Sequence, residues 1–358
     1  MQTRKWVNNR GATFWVRICR WSSNPSGAVV RILQILLFGA PLSSLILAEK
    51  GNTNILQNLV HLDGVLKHLS AKPHESASKS NKELNQFTGR QLNLFDVKVH
   101  VESGIVKLES GHFIANHKEY YDFLSGANYA SLRKLTKKAH EYIAHNCITL
   151  PRQEFYYHFM LEVLPNIILM KNLIPDTYIL TVQNQPKFVM ECLHRLNICL
   201  IFPEEDVVSV KELTVITKKT KIDEFDIEVV TDFFKSKQTR IPSKKLVLLR
   251  GENIRAGYEL EIQICDFLEP HGFVPVLPGK MTVSDQAMLF SEATHVVSLH
   301  GGALTNLIFC QKETRVFEIF NNEWRSMCFK EMAQLLCFNY SYSDSEFVSK
   351  LNDWLATS

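Results

Sequence analysis

The stretch His295-Val-Val-Ser-Leu-His-Gly-Gly-Ala-Leu-Thr-Asn-Leu-Ile-Phe309 sets the frame for the rest of the chain. Val296 to Leu299 is an apolar run and reads as a buried strand. It stops at His300-Gly301-Gly302, and Ala303 to Phe309 reads as the opening turns of a helix. A strand that breaks at paired glycines and restarts as a helix can be an anion site. Glycine lets the backbone approach a ligand, the unpaired N–H groups point at it, and the positive end of the helix dipole adds to the attraction. It can equally be a tight strand-to-helix turn with no ligand, and the stretch alone does not choose.

Outward from this turn, strands and helices alternate. Residues 245–249 read as a strand ending at Arg250, and 260–269 as a helix closed by His271-Gly272. Residues 273–277 read as a strand. Thr282 or Ser284 can cap a helix running to Glu292. A strand at 316–320, a helix at 324–336, a short strand near Tyr340 and a helix at 346–355 complete the pattern. This is the signature of a doubly wound, Rossmann-like domain, in which ligands sit at the C-terminal ends of the strands. Arg250, His300 and Glu318 all lie at or near such ends. There is no G-x-G-x-x-G and no G-K-[ST], which argues against a dinucleotide dehydrogenase or a P-loop enzyme.

The preceding half is also α/β. Strands are expected at 93–101, 104–114, 147–150, 178–182, 207–210 and 213–217, and helices at 128–145, 155–170 and 187–196. Pro165 should kink or restart the 155–170 helix. His158 and Glu162, four apart, share one face of it. That face can line a cleft or be an ordinary polar pair on a surface. Residues 218–240 are charged and read as a connector between the halves.

The length, 358 residues, allows two domains or one large one. A formal net charge of +3 gives no global pull towards nucleic acid. The eight cysteines form no C-x-x-C pair, so neither a metal cluster nor a redox dithiol is expected. Residues 1–48 contain no acidic residue, and 32–48 are almost wholly apolar. With Ala28-Val-Val30 the run nears the roughly 20 residues needed to span a bilayer. Three readings compete: a single-span signal-anchor with a cytosolic N-terminus, a cleaved signal peptide, and a buried or surface-lying amphipathic helix. The domain reading is therefore a basic tail (1–28), an apolar segment expected as a membrane anchor (29–48), a polar linker or stem (49–91), an N-terminal Rossmann-like domain (92–235) and a C-terminal one (236–358). The expected localisation is membrane-bound, with cytoplasmic or peripheral association as the alternative.

Taken together, Arg250, Arg255, Gly272-Phe-Val-Pro-Val276, Gln286, the element His300 to Phe309 and Glu318 resemble the catalytic region of glycosyltransferase family 61. Phe155-Tyr-Tyr-His-Phe-Met-Leu-Glu-Val-Leu-Pro165 is similar to that family's upstream element. In one place the chain departs: Ala256-Gly-Tyr-Glu259 stands where the family commonly has an Asn-Glu pair. The resemblance implies a GT-B type fold, two Rossmann-like halves facing across a cleft, and an inverting transfer from a nucleotide-sugar donor to a glycan or protein acceptor without a bound metal or other cofactor. It puts Arg250, Arg255, Gln286, His300, Gly301, Gly302, Ala303, Thr305, Asn306 and Glu318 on the donor side. His158 and Glu162, from the other half, are then the candidates for the general base. The rivals are a catalytically inactive relative that binds a nucleotide or glycan, and another nucleotide-using α/β enzyme.

Overall fold

The computed structural model describes residues 2–7, 13–20, 30–36, 47–49, 91–109, 113–114, 134–216, 222–235, 241–250, 258–321 and 325–357. Near the N-terminus, β1 (Gln2–Val7), β2 (Thr13–Arg20), β3 (Val30–Leu36) and β4 (Leu47–Glu49) pair antiparallel in that order. The described parts of the apolar 29–48 segment are thus strand rather than helix, and 37–46 lie outside the described residues. Among the described residues no helix is long and apolar enough to cross a membrane.

The chain forms two compact units. One comprises Met1–Arg152, Asp176–Asn184 and Cys199–Lys218; the other comprises Gln153–Pro175, Gln185–Ile198 and Lys219–Ser358. The 235/236 boundary read from the sequence is therefore crossed by several helices, which cluster with the C-terminal sheet.

The first unit holds a sheet of β5 (Gln91–His100), β6 (Val106–Lys107), β7 (Phe113–Ile114), β8 (Glu141–Leu150), β9 (Tyr178–Thr181), β10 (Cys199–Ile201) and β11 (Val207–Ile216). Its order is β10-β9-β8-β11-β5-β6-β7. The pairs from β10 to β11 are parallel, and those from β11 onward are antiparallel. β8 corrects the C-terminal part of the helix expected at 128–145, of which 128–133 lie outside the described residues. The Lys- and His-rich stretch before it resembles a helix face, but Glu141–Leu150 lies between β9 and β11, and Cys147 to Leu150 are buried. Long-range pairing overrode local propensity. The two strands expected at 207–217 are one strand with an irregularity between Val210 and Glu212.

The second unit is built on β12 (Lys244–Leu248), β13 (Phe273–Val276), β14 (Ala293–Leu299), β15 (Arg315–Ile319) and β16 (Asn339–Ser343). All its pairs are parallel, in the order β13-β12-β14-β15-β16. Parallel strands covered by helices read as apolar runs, and the inner strands β12, β14 and β15 do, whereas the edge strands β13 and β16 are partly exposed. Val247, Val297, Leu299, Phe317 and Ile319 form one core with Ile264 and Leu268 of the helix Tyr258–Leu268 and Leu351 and Trp354 of the helix Val348–Ala356. Gly272, at φ +76°, takes the left-handed position that ends the first of these helical stretches, as glycine there predicts. Thr282 caps the helix Val283–Ser291 by accepting the Asp285 N–H. The stretch expected as a connector contains the helix Glu224–Phe234, capped by Asp223. Its abundant charge hid the buried stripe Ile227, Val230, Phe234. Mixed α/β architecture with two parallel-rich sheets is thus what the sequence builds.

Candidate active site

The order of the second sheet fixes where a ligand can enter. From β12 the chain goes to β13 on one side and then back past it to β14, so the connections leave the adjacent strands β12 and β14 in opposite directions. In doubly wound sheets a switch point of this kind, at the C-terminal strand ends, is where ligands bind. Arg250 follows β12, and His300-Gly301-Gly302 follows β14. The Arg250 Nη1 donates to the His300 carbonyl at 3.2 Å, and its backbone N–H donates to Oε1 of the buried Glu261 at 2.8 Å. A Cβ on Gly301 would stand 3.2 Å from Arg250 Nε. Glycine is what lets the guanidinium lie against the turn. At the exposed Gly302 a Cβ would meet nothing within 4 Å, so that backbone can be approached from outside. Ala303 is half-buried.

The helix expected after the turn is present and is a 3-10 helix, Gly302–Phe309. The Asn306 amide takes the Ala303 carbonyl at 3.1 Å, which competes with the α-helical acceptor pattern. The N–H groups at the start of the helix still have no intrahelical partner.

Behind the turn lies a buried chain of side chains. His300 Nδ1 is 2.5 Å from Oε1 of Glu318, which is fully buried, and the Tyr340 hydroxyl donates to the other carboxylate oxygen. Burial, with the Glu318 charge beside it, pushes the Tyr340 phenol well up, so it keeps its proton and acts as a donor. The His300 ring stacks on Phe320, centroids 5.2 Å apart, and meets Phe329 edge-on. Asn306 and Gln286 are also buried. Asn306 Nδ2 donates to Gln286 Oε1 at 2.7 Å, Gln286 Nε2 donates to the Met281 carbonyl at 3.3 Å, and the Tyr156 hydroxyl donates to Asn306 Oδ1 at 2.9 Å. The Thr305 hydroxyl is buried with no hydrogen-bond partner.

The His158 segment belongs to the same compact unit as this turn. Tyr156–His158 starts a helix, Phe159–Val163 widens into a π-helix, and Leu164–Leu173 continues as α. The π turn sits where Pro165 lacks the N–H that an α-helix needs. Leu164 N–H instead reaches Phe159 O, and the Asn166 side chain takes the Glu162 carbonyl. On this turn both carboxylate oxygens of Glu162 lie 2.9 Å from His158 Nδ1. The Glu162 side chain is 12% exposed and that of His158 42%. Nε2 is the nitrogen turned away from the carboxylate. An aromatic bridge runs from His158 through Tyr157 and Phe329 to His300, with centroid separations of 5.3, 5.5 and 5.5 Å.

Residues 156–317 match the model of the Glycosyltransferase 61 family. This part of the chain belongs to glycosyltransferase family 61. The family 61 match runs from the start of the His158 helix to the residue before Glu318, so it takes in both groups of candidate residues. The match supports glycosyltransferase activity in general, and with it a sugar donor and an acceptor. No curated protein matches the chain.

Within the family 61 region the structure gathers His158, Glu162, Arg250, Gln286, His300, Gly301, Gly302, Ala303, Thr305, Asn306 and, one residue beyond the match, Glu318 into one unit. Arg255 lies outside the described residues. Gln286, Thr305, Asn306 and Glu318 lie beneath the turn, not on its surface. Tyr156, Tyr340 and Glu261 were not singled out from the sequence, since a tyrosine or glutamate at a strand end or helix start carries no pattern of its own. Among the described residues no group of three or more His, Cys, Asp or Glu is placed to hold a metal ion.

Proposed function

We propose that the protein transfers a sugar, with inversion, from a nucleotide-sugar to a hydroxyl of a glycan or protein acceptor. The observation that carries this reading is the His158–Glu162 pair, held by two 2.9 Å contacts in the same compact unit as the Arg250–glycine turn. In this reading the donor diphosphate lies over Gly301, Gly302 and Ala303, facing the unpaired N–H groups of the turn. Arg250, with Arg255, balances the charge that builds on the diphosphate as the anomeric C–O bond breaks. His158 Nε2 takes the proton of the acceptor hydroxyl as its oxygen forms the new bond on the opposite face of the sugar. Glu162 fixes the tautomer through Nδ1 and stabilises the imidazolium. Glu162 as base, with His158 contacting sugar, is the variant of the same scheme. Glu318 and Tyr340 hold His300, while Gln286, Asn306 and Tyr156 brace the turn from below.

The proposal extends to metal-independent transfer, because Arg250, lying against the glycine turn, can supply the positive charge that a leaving diphosphate needs. It also includes a GT-B arrangement and tethering to a membrane through the basic and apolar N-terminal segment. A second reading, an inactive relative that binds nucleotide or glycan, draws on Ala256-Gly-Tyr-Glu259 in place of the usual Asn-Glu pair.

Purified Arg250→Ala and His158→Ala are tested against a panel of nucleotide sugars, with and without acceptors. Arg250→Ala should lose about 10²–10³ in turnover, and His158→Ala about 10²–10⁴. Normal turnover in both rejects the mechanism. Loss of wild-type activity in EDTA rejects metal independence, and nucleoside diphosphate binding without turnover supports the inactive relative.

A further inference from the structure

We propose that Tyr156 is a positioning residue: its hydroxyl locks the helix start that bears His158 to the glycine turn and so sets where the imidazole stands. This rests on the reading of His158 as the base given above. The helix start has little to fix it locally. Phe155, at its N-cap, has no side-chain oxygen to cap it, and from Phe159 the turns widen into the π-helix. Two side-chain bonds bracket the segment instead. On the C-terminal side the Asn166 amide holds the Glu162 carbonyl at 3.0 Å. On the N-terminal side the Tyr156 hydroxyl donates to Asn306 Oδ1 at 2.9 Å, across 150 positions of sequence.

Asn306 is a firm anchor for that bond. Its Nδ2 donates to Gln286 Oε1 at 2.7 Å and to the Ala303 carbonyl at 3.1 Å, which uses both amide protons and leaves Oδ1 as the acceptor. Turning the amide over would set Oδ1 against two acceptors. Burial pushes the Tyr156 phenol well up, so the hydroxyl keeps its proton and meets Asn306 as a donor. A hydroxyl taken from water is costly unless it is bonded, and a phenylalanine would fill the same space. The bond, not the volume, is what the tyrosine adds. A second path holds the same ring from another helix. Phe188, on Lys187–Arg195, meets Tyr156 edge-on at 5.3 Å and packs on Phe159 at 5.7 Å. Glu191 of that helix accepts the N–H groups of Val283 and Ser284, at the start of the helix bearing Gln286. The contacts thus close a ring, from Tyr156 to Asn306 and Gln286 and back through Glu191 and Phe188, all within one compact unit. Closure removes the freedom that a single bond would leave, so the turn and the start of the His158 helix keep one relative position.

The test uses the full chain with Tyr156→Phe, which removes the hydroxyl and keeps the ring. Backbone hydrogen exchange reads the anchoring without any substrate. The Phe159 N–H, bonded to the Phe155 carbonyl at 3.0 Å, should exchange about 3- to 10-fold faster, while amides of the helix Val348–Ala356 should not change. In transfer from the nucleotide sugar selected by the panel above, kcat should fall about 3- to 10-fold with donor KM within about twofold, and Tyr156→Phe should cost nothing further in a His158→Ala background. Unchanged exchange at Phe159, an unchanged kcat, or the same loss with His158 absent overturns the inference. A rise in donor KM with kcat intact assigns the bond to the turn alone and overturns it too. Normal turnover in His158→Ala alongside faster exchange at Phe159 instead removes His158 as the base, and the catalytic half of this inference with it, and leaves Tyr156 as the anchor of the helix start.

Discussion

Gly301→Ala separates the two roles a glycine can play at the turn. Its φ of 168° is extended backbone that any residue adopts, so the substitution brings no backbone strain. What it brings is a methyl group 3.2 Å from Arg250 Nε, 3.4 Å from Cζ and 3.5 Å from Cδ. The guanidinium must retreat by a few tenths of an ångström to restore ordinary contact. Its bond to the His300 carbonyl is already 3.2 Å, so the retreat takes it to about 3.5 Å, the end of the useful range. A hydrogen bond to a charged group contributes about 1.5–3 kcal/mol. Losing around half of that from the aligned guanidinium should lower turnover roughly 4- to 13-fold. The melting temperature should hardly move. The assay is steady-state transfer in a double-mutant cycle with Arg250→Ala. If the methyl acts through Arg250, Gly301→Ala should change nothing further once the arginine is gone. Unaltered turnover in the single variant, or the same fold-loss in both backgrounds, refutes the reasoning.

Two further outcomes concern stability. Glu191 accepts the N–H groups of Val283 at 2.7 Å and Ser284 at 2.9 Å, together with the Ser284 hydroxyl at 3.0 Å, so it caps the helix that carries Gln286 from outside. Glu191→Ala should cost about 1–2 kcal/mol and lower the melting temperature by a few degrees, and an unchanged melt would show that water replaces the carboxylate at no cost. His295 is pushed down to about 4 by burial, with repulsion from Arg315 and Lys245 adding to it, and its Nε2 is buried without a partner. Between its unfolded value near 6.5 and about 4 the unfolded chain binds more protons than the folded one. Its contribution is therefore fully favourable above pH 6.5 and is lost as pH falls through that window. Discounted for partial exposure, the loss should be about 1–2 kcal/mol, and His295→Gln should flatten it; parallel pH profiles of denaturant unfolding for the two proteins would remove His295 as the cause.

The C-terminal sheet was largely legible in the sequence because its central strands are buried on both faces. Runs such as Val296 to Leu299 need no partner to be recognised, and Gly272 and Thr282 mark helix ends by local rules. The helix Glu224–Phe234 was not legible, because its buried stripe is interleaved with acidic residues. Nor was the strand Glu141–Leu150, because only its neighbours β9 and β11 make it a strand. In the site, the candidates at strand ends were found, since a parallel α/β sheet sends its ligand there whatever the ligand is. Their depth was not: Glu318 at the end of a strand looks the same in sequence whether it faces a ribose or, as here, His300 and Tyr340.

The sequence by itself determined the alternation of strand and helix, the glycine turn and the choice of candidate side chains, because these follow from periods and residue types within short windows. Only the tertiary structure decided which unit His158 joins, that Gly301 is small for the sake of Arg250, and that Asn306 and Gln286 bond to each other and to Tyr156. These are contacts between residues up to 150 positions apart. No local pattern encodes them, since each side chain alone satisfies its own helix or turn equally well in several packings.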